Sequence, residues 1–101
     1  MERKRNTTVA GEPFAPKVIA EAWRGASVIN GSDSDQFRKD ACGATMRKAS
    51  YGTTGEQGWE IDHVKPVSKG GTDHKTNLQP LHWSNNMAKG DNNELTCKKK
   101  I

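Results

Sequence analysis

The stretch from Trp59 to Gly90 constrains the fold of this chain more than any other. Its first six residues, Trp59 to Val64, alternate apolar and polar side chains, which is the pattern of a half-buried strand. Pro66 ends this strand, because proline cannot donate a backbone hydrogen bond. The paired glycines Gly70 and Gly71 then indicate a loop with backbone conformations that other residues refuse.

The remainder of the same stretch predicts a second strand and a helix. Asn77 to Leu81 is expected to form a short strand. Ser84 to Lys89 is expected to form a short helix that ends at Gly90. The order strand, loop, strand, helix indicates a small α+β fold.

The beginning of the chain predicts a tail followed by a helix. Residues 1–13 are polar and are expected to form a mobile lead-in. Pro16 suits the first turn of a helix. The helix would pack one apolar face on the core, formed at helical spacing by Val18, Ile19, Ala22 and Trp23.

Turn-forming residues divide the next segment. Ser32 or Asp33 is expected to cap a short helical turn that runs through Phe37. The pair Cys42-Gly43 predicts a tight turn before an extended stretch from Thr45 to Ser50.

Composition bounds the chain to one small domain. With 101 residues, of which 32% are hydrophobic, only a small core can form, although three Trp, two Phe and one Tyr supply bulky anchors. The net charge of +4 and the pI near 9.2 favour nucleic acid as a partner. This support is weak, because the stretch from Phe14 to Gly90 has ten basic and eight acidic residues, a net charge of only +2.

Two cysteines, Cys42 and Cys97, are too few and too far apart to indicate a disulfide framework or a four-cysteine zinc site. No apolar leader or membrane-length run is present in the sequence. We therefore expect a cytoplasmic protein with reduced thiols and no membrane partner.

The three histidines of the chain, His63, His74 and His82, all lie between Trp59 and Gly90. A lone histidine in a strand usually has a structural role. The joint arrangement is more specific: a strand that ends in Asp-His, a Gly-Gly loop, Asn-Leu-Gln-Pro-Leu, and then Asn-x-x-Lys-Gly.

These motifs resemble the HNH endonuclease family, whose core is the ββα-metal or His-Me finger fold. The matching segments are 59–73, 77–81 and 85–91, about a third of the chain, with a looser match at 37–44. The resemblance implies a nuclease domain at 14–91 with an additional N-terminal helix. A polar tail at 1–13 and a basic tail at 92–101 would flank it.

The resemblance implies a role for each motif residue. His63 would be the general base, since neutral imidazole, with an unperturbed pKa of about 6.5, accepts a proton near neutral pH. Asn77 would hold the loop between the strands and orient His63. Asp62 and Asn86 would bind one divalent metal ion through oxygen atoms, a donor set that suits Mg²⁺ or Mn²⁺.

His82 is the ambiguous residue. It lies four residues before Asn86, so on one continuous helix both side chains would share a face, and a nitrogen ligand would favour Mn²⁺. If Ser84 is the helix N-cap, however, His82 precedes the helix and this argument weakens. His74, in the loop, is expected to be solvated.

The chain departs from the family in its cysteines. Many relatives carry two Cys-x-x-Cys pairs that hold a structural zinc ion. Here Cys42 occupies one such position, Lys39 stands where its partner would be, and positions 82 and 85 hold His and Asn, which argues against structural zinc. Aromatic packing would then hold the flanks, with Trp23, Trp59, Trp83 and Phe37 as the expected residues.

The implied reaction is metal-dependent hydrolysis of phosphodiester bonds in duplex DNA, with one strand nicked at a time and low sequence specificity. Lys65 and Lys89 would contact the DNA backbone. We expect a monomer or a weak dimer, and a phage or host protein partner stays open. Two alternatives are a non-catalytic nucleic-acid-binding module of the same fold and a metal-stabilised interaction domain.

Overall fold

Strand, loop, strand and helix follow one another along residues 59–90, as the sequence pattern predicts. The computed structural model describes residues 3–101, in which two antiparallel sheets and two α-helices form an α+β fold. The helices are α1 (Pro16–Arg24) and α2 (Trp83–Lys89). The strands are β1 (Ser27–Val28), β2 (Phe37–Lys39), β3 (Thr45–Arg47), β4 (Trp59–His63) and β5 (Leu78–His82).

The strands β4 and β5 pair antiparallel, so that Trp59 lies opposite His82 and His63 lies opposite Leu78. The strands β1, β2 and β3 form a separate antiparallel sheet in that order. Because α2 begins directly after β5, the hairpin and the helix form one continuous ββα unit.

The core lies between α1 and one face of β4. Alternation along the strand turns Trp59 and Ile61 toward the core, where the Trp59 ring lies 5.2 Å from the ring of Trp23. The other face of β4 carries Glu60 and Asp62, which contact α2. Since both faces are covered, all five residues of β4 are buried, and the prediction of a half-buried strand is wrong.

The loop between β4 and β5 depends on its two glycines. Gly70 has a φ of 90°, in the left-handed region that favours glycine. A Cβ atom on Gly71 would collide with the backbone carbonyl of Lys65. The chain can therefore fold back at this point only if glycine occupies both positions.

Of two local predictions upstream of β4, one is confirmed and one is wrong. The Asp33 carboxylate accepts from the backbone N–H of Asp35, and the Asp33 carbonyl accepts from the N–H groups of Gln36 and Phe37, so Asp33 caps one helical turn that runs through Phe37. The extended stretch from Thr45 ends at Arg47, and Lys48–Ser50 form a 3₁₀ turn.

The N-terminal segment packs along β4, contrary to the expected mobile tail; Met1 and Glu2 lie outside the described residues. The Oδ1 atom of Asn6 accepts hydrogen bonds from the Ile61 backbone N–H and the Tyr51 hydroxyl, both at 2.8 Å. Asn6 therefore satisfies an edge donor that has no partner strand. Arg5 pairs with Glu60 at 3.0 Å, and the side chain of Thr7 is buried.

The C-terminal segment is also held against the domain. Cys42 and Cys97 form a disulfide, so the expectation of reduced thiols is wrong for this structure. The Oδ1 atom of Asn85 accepts from the backbone N–H groups of Lys98 and Lys99, at 2.8 and 2.7 Å. The end of the basic tail is therefore bound to the start of α2.

A buried carboxylate joins the positions that carry zinc ligands in many relatives. Asp40 is 4% exposed, and its Oδ1 accepts from the backbone N–H groups of Cys42 and Ala44. Its Oδ2 accepts from the His82 backbone N–H and from Nδ2 of Asn85, at 2.9 and 3.0 Å. Four hydrogen bonds and the disulfide hold this flank, and the predicted aromatic packing accounts for only part of it.

Within residues 3–101, neither helix has the length or the apolar character needed to cross a membrane.

Candidate active site

A cleft of about 90 Å³ opens where the end of β4, the end of α2 and the N-terminal segment meet. Three of the residues that sequence motifs single out, Asp62, His63 and Asn86, line it together. The other lining residues are Arg3, Lys4, Arg5, Asn6, Ile61, Pro66, Val67, Gly90 and Asp91. The fold thus brings residues that are 24 positions apart in the sequence to one opening.

His63, the last residue of β4, is 7% exposed. Its Nε2 lies 2.8 Å from Oδ1 of Asp73. A carboxylate can only accept, so Nε2 of the neutral ring carries the proton and Nδ1 keeps a lone pair. Among the described residues, no protein group hydrogen-bonds to that Nδ1, which leaves it available to accept a proton.

Asp73 was missed as a site residue in the sequence. It is the last residue of the segment that matches the family around the Gly-Gly loop, and it is 42% exposed. An acidic residue in a loop is ordinarily solvated, so composition and spacing give no signal for this contact.

Asn77 ties the loop between β4 and β5 at both ends. Its Oδ1 accepts from the Lys65 backbone N–H at 2.8 Å, and its Nδ2 donates to the carbonyls of Lys65 and Thr72. Its own carbonyl accepts from the N–H of Val64, the residue after His63. One amide therefore bonds a backbone donor and two acceptors of the loop, and the Asn77 carbonyl bonds the residue next to His63.

Asp62 lies on the polar face of β4 and is 7% exposed. Burial raises the pKa of its carboxyl group, and the hydrogen bond from Gln79 and the charge of Lys89 partly offset this effect. The Gln79 Nε2 lies 2.9 Å from Oδ2, and the Lys89 Nζ lies 3.3 Å from the same oxygen.

Asn86, on α2, has a free carbonyl oxygen with a defined orientation. Its Nδ2 donates to Oε1 of Glu60 at 2.8 Å, and because a carboxylate cannot donate, this contact fixes which end of the amide is which. In residues 3–101, no protein donor bonds the Oδ1 of Asn86. Glu60 was also missed, although its position two residues before Asp62 places both on one face of β4.

His82 does not join the cleft. Its ring is 2% exposed, Nε2 donates to the Glu56 carbonyl at 2.8 Å, and Nδ1 accepts from the backbone N–H of Ser84. His82, and not Ser84, is the N-cap of α2. With both ring nitrogens engaged, His82 is not available as a metal ligand in this geometry.

The structure separates the two lysines predicted to contact DNA. Lys89 is 1% exposed, and its Nζ donates to the His63 carbonyl at 3.0 Å and pairs with Asp62. The ammonium is buried and already bonded in this structure, so this geometry gives the predicted DNA contact of Lys89 no support. Lys65 is exposed, and so is His74, whose Nδ1 lies 2.9 Å from the Thr76 hydroxyl.

The described part of the chain contains no group of three or more His, Cys, Asp or Glu that could hold a metal ion. Asp91 also lines the cleft, and the two buried oxygen donors there are the carboxylate of Asp62 and the unbonded amide oxygen of Asn86. Two hard oxygen donors fit Mg²⁺ or Mn²⁺, which keep several water ligands when few protein ligands are present. The residues present therefore fit an incomplete metal shell, with Lys89 competing for Asp62.

Comparison with known protein families identifies the chain. The family model of the HNH endonuclease matches residues 40–92, which are 53 of the 101 residues. The chain belongs to the HNH endonuclease family. The HNH match begins at Asp40 and includes Asp62, His63 and Asn86 of the cleft. The N-terminal segment lies outside the match. No curated protein and no solved structure matches the chain.

Proposed function

We propose that this HNH protein is a metal-dependent endonuclease that hydrolyses phosphodiester bonds in DNA, and that its ββα unit is a ββα-metal core. The observation that supports the proposal is the cleft, which is lined by an imidazole whose Nδ1 has no protein partner and by two side chains with oxygen donors, Asp62 and Asn86. Basic side chains line the same opening. The family match supports a nuclease or nucleic-acid-binding function.

His63 is the general base of the proposed reaction. Nδ1 takes a proton from a water molecule, and the water oxygen bonds to phosphorus while the bond to the 3′ oxygen breaks in line with it. The leaving oxygen takes up a proton, so the products carry a 5′-phosphate and a 3′-hydroxyl. Burial of the ring and the contact with Asp73 hold Nδ1 in place for this transfer.

Asp62 and Asn86 would hold one divalent ion, Mg²⁺ or Mn²⁺. A bound ion offsets negative charge on the phosphate and the leaving oxygen. Lys89 keeps the buried carboxylate of Asp62 in a charged pair when no other cation is near. Glu60 holds the Asn86 amide so that its oxygen, and not its nitrogen, is free.

In the proposed complex, the N-terminal segment contacts the DNA backbone, and Lys89 does not. Arg3, Lys4 and Arg5 line the cleft, and Lys65 is exposed on the loop after β4. Basic side chains on phosphates position a duplex without reading its sequence, so low sequence specificity is expected. A single cleft acts on one strand at a time, and nicking is the expected outcome for a monomer.

Conversion of supercoiled plasmid tests the proposal. The wild type, His63→Ala and His74→Ala would be compared in Mg²⁺, in Mn²⁺ and in excess EDTA; His74 is the exposed control histidine. We expect metal-dependent nicking that falls by at least about a hundredfold in His63→Ala and is unchanged in His74→Ala. Equal cleavage by all three proteins, or cleavage in EDTA, would refute the assignment.

The pairing of Lys89 with Asp62 favours the alternative, a nucleic-acid-binding module without catalysis. A cation that already neutralises Asp62 weakens the attraction of the cleft for a metal ion. A gel-shift in EDTA separates the two readings when combined with the plasmid assay. DNA binding with no cleavage in either metal would favour the binding module.

A further inference from the structure

Asp73 links the base to a part of the chain that lies outside the family match. One of its oxygens, Oδ1, is 2.8 Å from Nε2 of His63. The backbone N–H of Val9 donates to both oxygens of the same carboxylate, at 3.0 and 3.2 Å. The carboxylate is therefore held by a backbone donor of the N-terminal segment as well as by the imidazole.

We propose that Asp73 is a positioning residue that fixes the tautomer and the orientation of His63. The carboxylate accepts the Nε2 proton, so Nδ1 is the unprotonated nitrogen that serves as the acceptor in the cleft. The consequence for catalysis rests on the proposed nuclease function, whereas the tautomer itself does not.

The surroundings of the ring leave Asp73 as the group that determines the tautomer. His63 is 7% exposed, and the ring of Phe14 lies 5.9 Å from its centroid, so the imidazole contacts little water. Within residues 3–101, Asp73 is the one protein group that hydrogen-bonds to the ring. Without this acceptor, no described protein group would hydrogen-bond to either ring nitrogen.

Hydrogen bonds fix both the loop that carries Asp73 and the turn that contains its partner Val9. The loop that carries it is tied by Asn77, whose Nδ2 donates to the carbonyl of Thr72, the preceding residue. On the other side, the turn that contains Val9 is closed by a hydrogen bond from the Thr8 N–H to the Glu12 carbonyl. A carboxylate on an exposed loop thereby acquires the fixed position that orienting a base requires.

The test is the ring ¹⁵N spectrum of His63 in the full chain, recorded in EDTA at a pH where the ring is neutral, for the wild type and Asp73→Ala; alanine is used because asparagine would still offer an amide oxygen to Nε2. The exposed Asp35, whose side chain has no hydrogen bond to the ring, supplies the matched control Asp35→Ala. We expect the Nε2–H tautomer in the wild type and in Asp35→Ala, and a mixture with Nδ1–H in Asp73→Ala. A wild-type ring protonated on Nδ1, or an unchanged tautomer in Asp73→Ala, would overturn the proposal.

Plasmid cleavage supplies the second measurement. Asp73→Ala is expected to lower kcat by about tenfold to a hundredfold, with KM for DNA within about twofold of the wild type, because the residue orients the base and does not bind the substrate. An unchanged kcat in Asp73→Ala would contradict the positioning role. Absence of cleavage in the wild type would refute the nuclease function, while the spectra would still decide the tautomer.

Discussion

Each end of the ββα unit has an aspartate, a histidine and an asparagine, but the hydrogen bonding differs between the ends. At the closed end, Asp40, from the loop between β2 and β3, joins His82 and Asn85 of the unit, and the three have hydrogen bonds to both oxygens, both ring nitrogens and both amide atoms. At the open end, Asp62, His63 and Asn86 line the cleft and are 6–7% exposed, against 0–4% at the closed end.

Unused hydrogen-bonding capacity distinguishes the open end. Among the described residues, Nδ1 of His63 and Oδ1 of Asn86 have no protein donor or acceptor. Asp62 is bonded by side chains alone, one of them a lysine at 3.3 Å, whereas Asp40 receives three backbone N–H groups and one amide. A buried polar group with every partner supplied stabilises a fold, and one that lacks a partner is available for chemistry.

Removing the disulfide gives the largest expected change in stability. Cys97→Ser opens a loop with a sequence separation of 55 residues. The chain-entropy argument predicts a loss of about 4 kcal/mol in the free energy of unfolding. Urea denaturation of wild type and variant measures it, and cleavage per folded molecule should be unchanged because the bond lies at the closed end. A variant as stable as the wild type would contradict this role.

Isosteric substitution of the two buried aspartates compares the ends directly. Asp40→Asn turns an NH₂ group toward backbone and amide donors, and we expect a loss of about 3 kcal/mol in stability. Asp62→Asn keeps an oxygen for Gln79 but leaves the buried ammonium of Lys89 without a counter-charge, so a loss of about 3 kcal/mol is expected there as well. Urea denaturation in EDTA measures both variants, and adding Lys89→Met to Asp62→Asn should recover part of the loss, because the unpaired charge is then removed. No recovery in the double variant would contradict this explanation of the open end.

Substitution of the two buried histidines should have different effects: His82 is expected to affect stability, and His63 is expected to affect cleavage. His82→Ala removes the side-chain cap of α2 and the bond to the Glu56 carbonyl, and the expected loss is about 2 kcal/mol in the free energy of unfolding. Cleavage per folded molecule, measured well below the melting temperature, should stay within about twofold of the wild type. Loss of cleavage in a folded His82→Ala protein would show that His82 is part of the active site.

The smallest effect is expected from the N-terminal segment. Arg5→Ala removes an exposed partner of Glu60, which is worth less than about 1 kcal/mol of stability. If Arg5 contacts a phosphate, the slope of log binding constant against log salt concentration should fall by about one unit. Lys17→Ala, on the exposed start of α1, is the control. Equal slopes for the two variants would show that the segment does not bind DNA.

Sequence patterns predict the open end better than the closed end because their signals are local. The alternation from Trp59, the stop at Pro66 and the glycines at 70 and 71 each act on neighbouring residues, so the elements that position the cleft could be located. The resemblance of the motif to the HNH family then predicts His63 and Asn86 as site residues.

The remaining contacts could not be predicted, since they join distant parts of the chain without a periodic pattern. Asn6 bonds Ile61 across 55 residues, and Asn85 bonds Asp40 across 45. An exposed aspartate such as Asp73, or a basic tail such as Arg3–Arg5, has the same composition whether it is solvated or packed on a site. Only the fold determines which of these applies.

The decisive measurement is Mn²⁺ binding, monitored by the electron paramagnetic resonance signal of the free ion. It tests whether Asp62 and Asn86 bind the metal ion while His63 does not. The proteins are the wild type, His63→Ala, Asp62→Ala and Asn86→Ala. We expect that His63→Ala binds Mn²⁺ like the wild type, whereas Asp62→Ala and Asn86→Ala lose most of their affinity. Equal loss in all three variants, or full affinity without Asp62 and Asn86, would contradict this expectation.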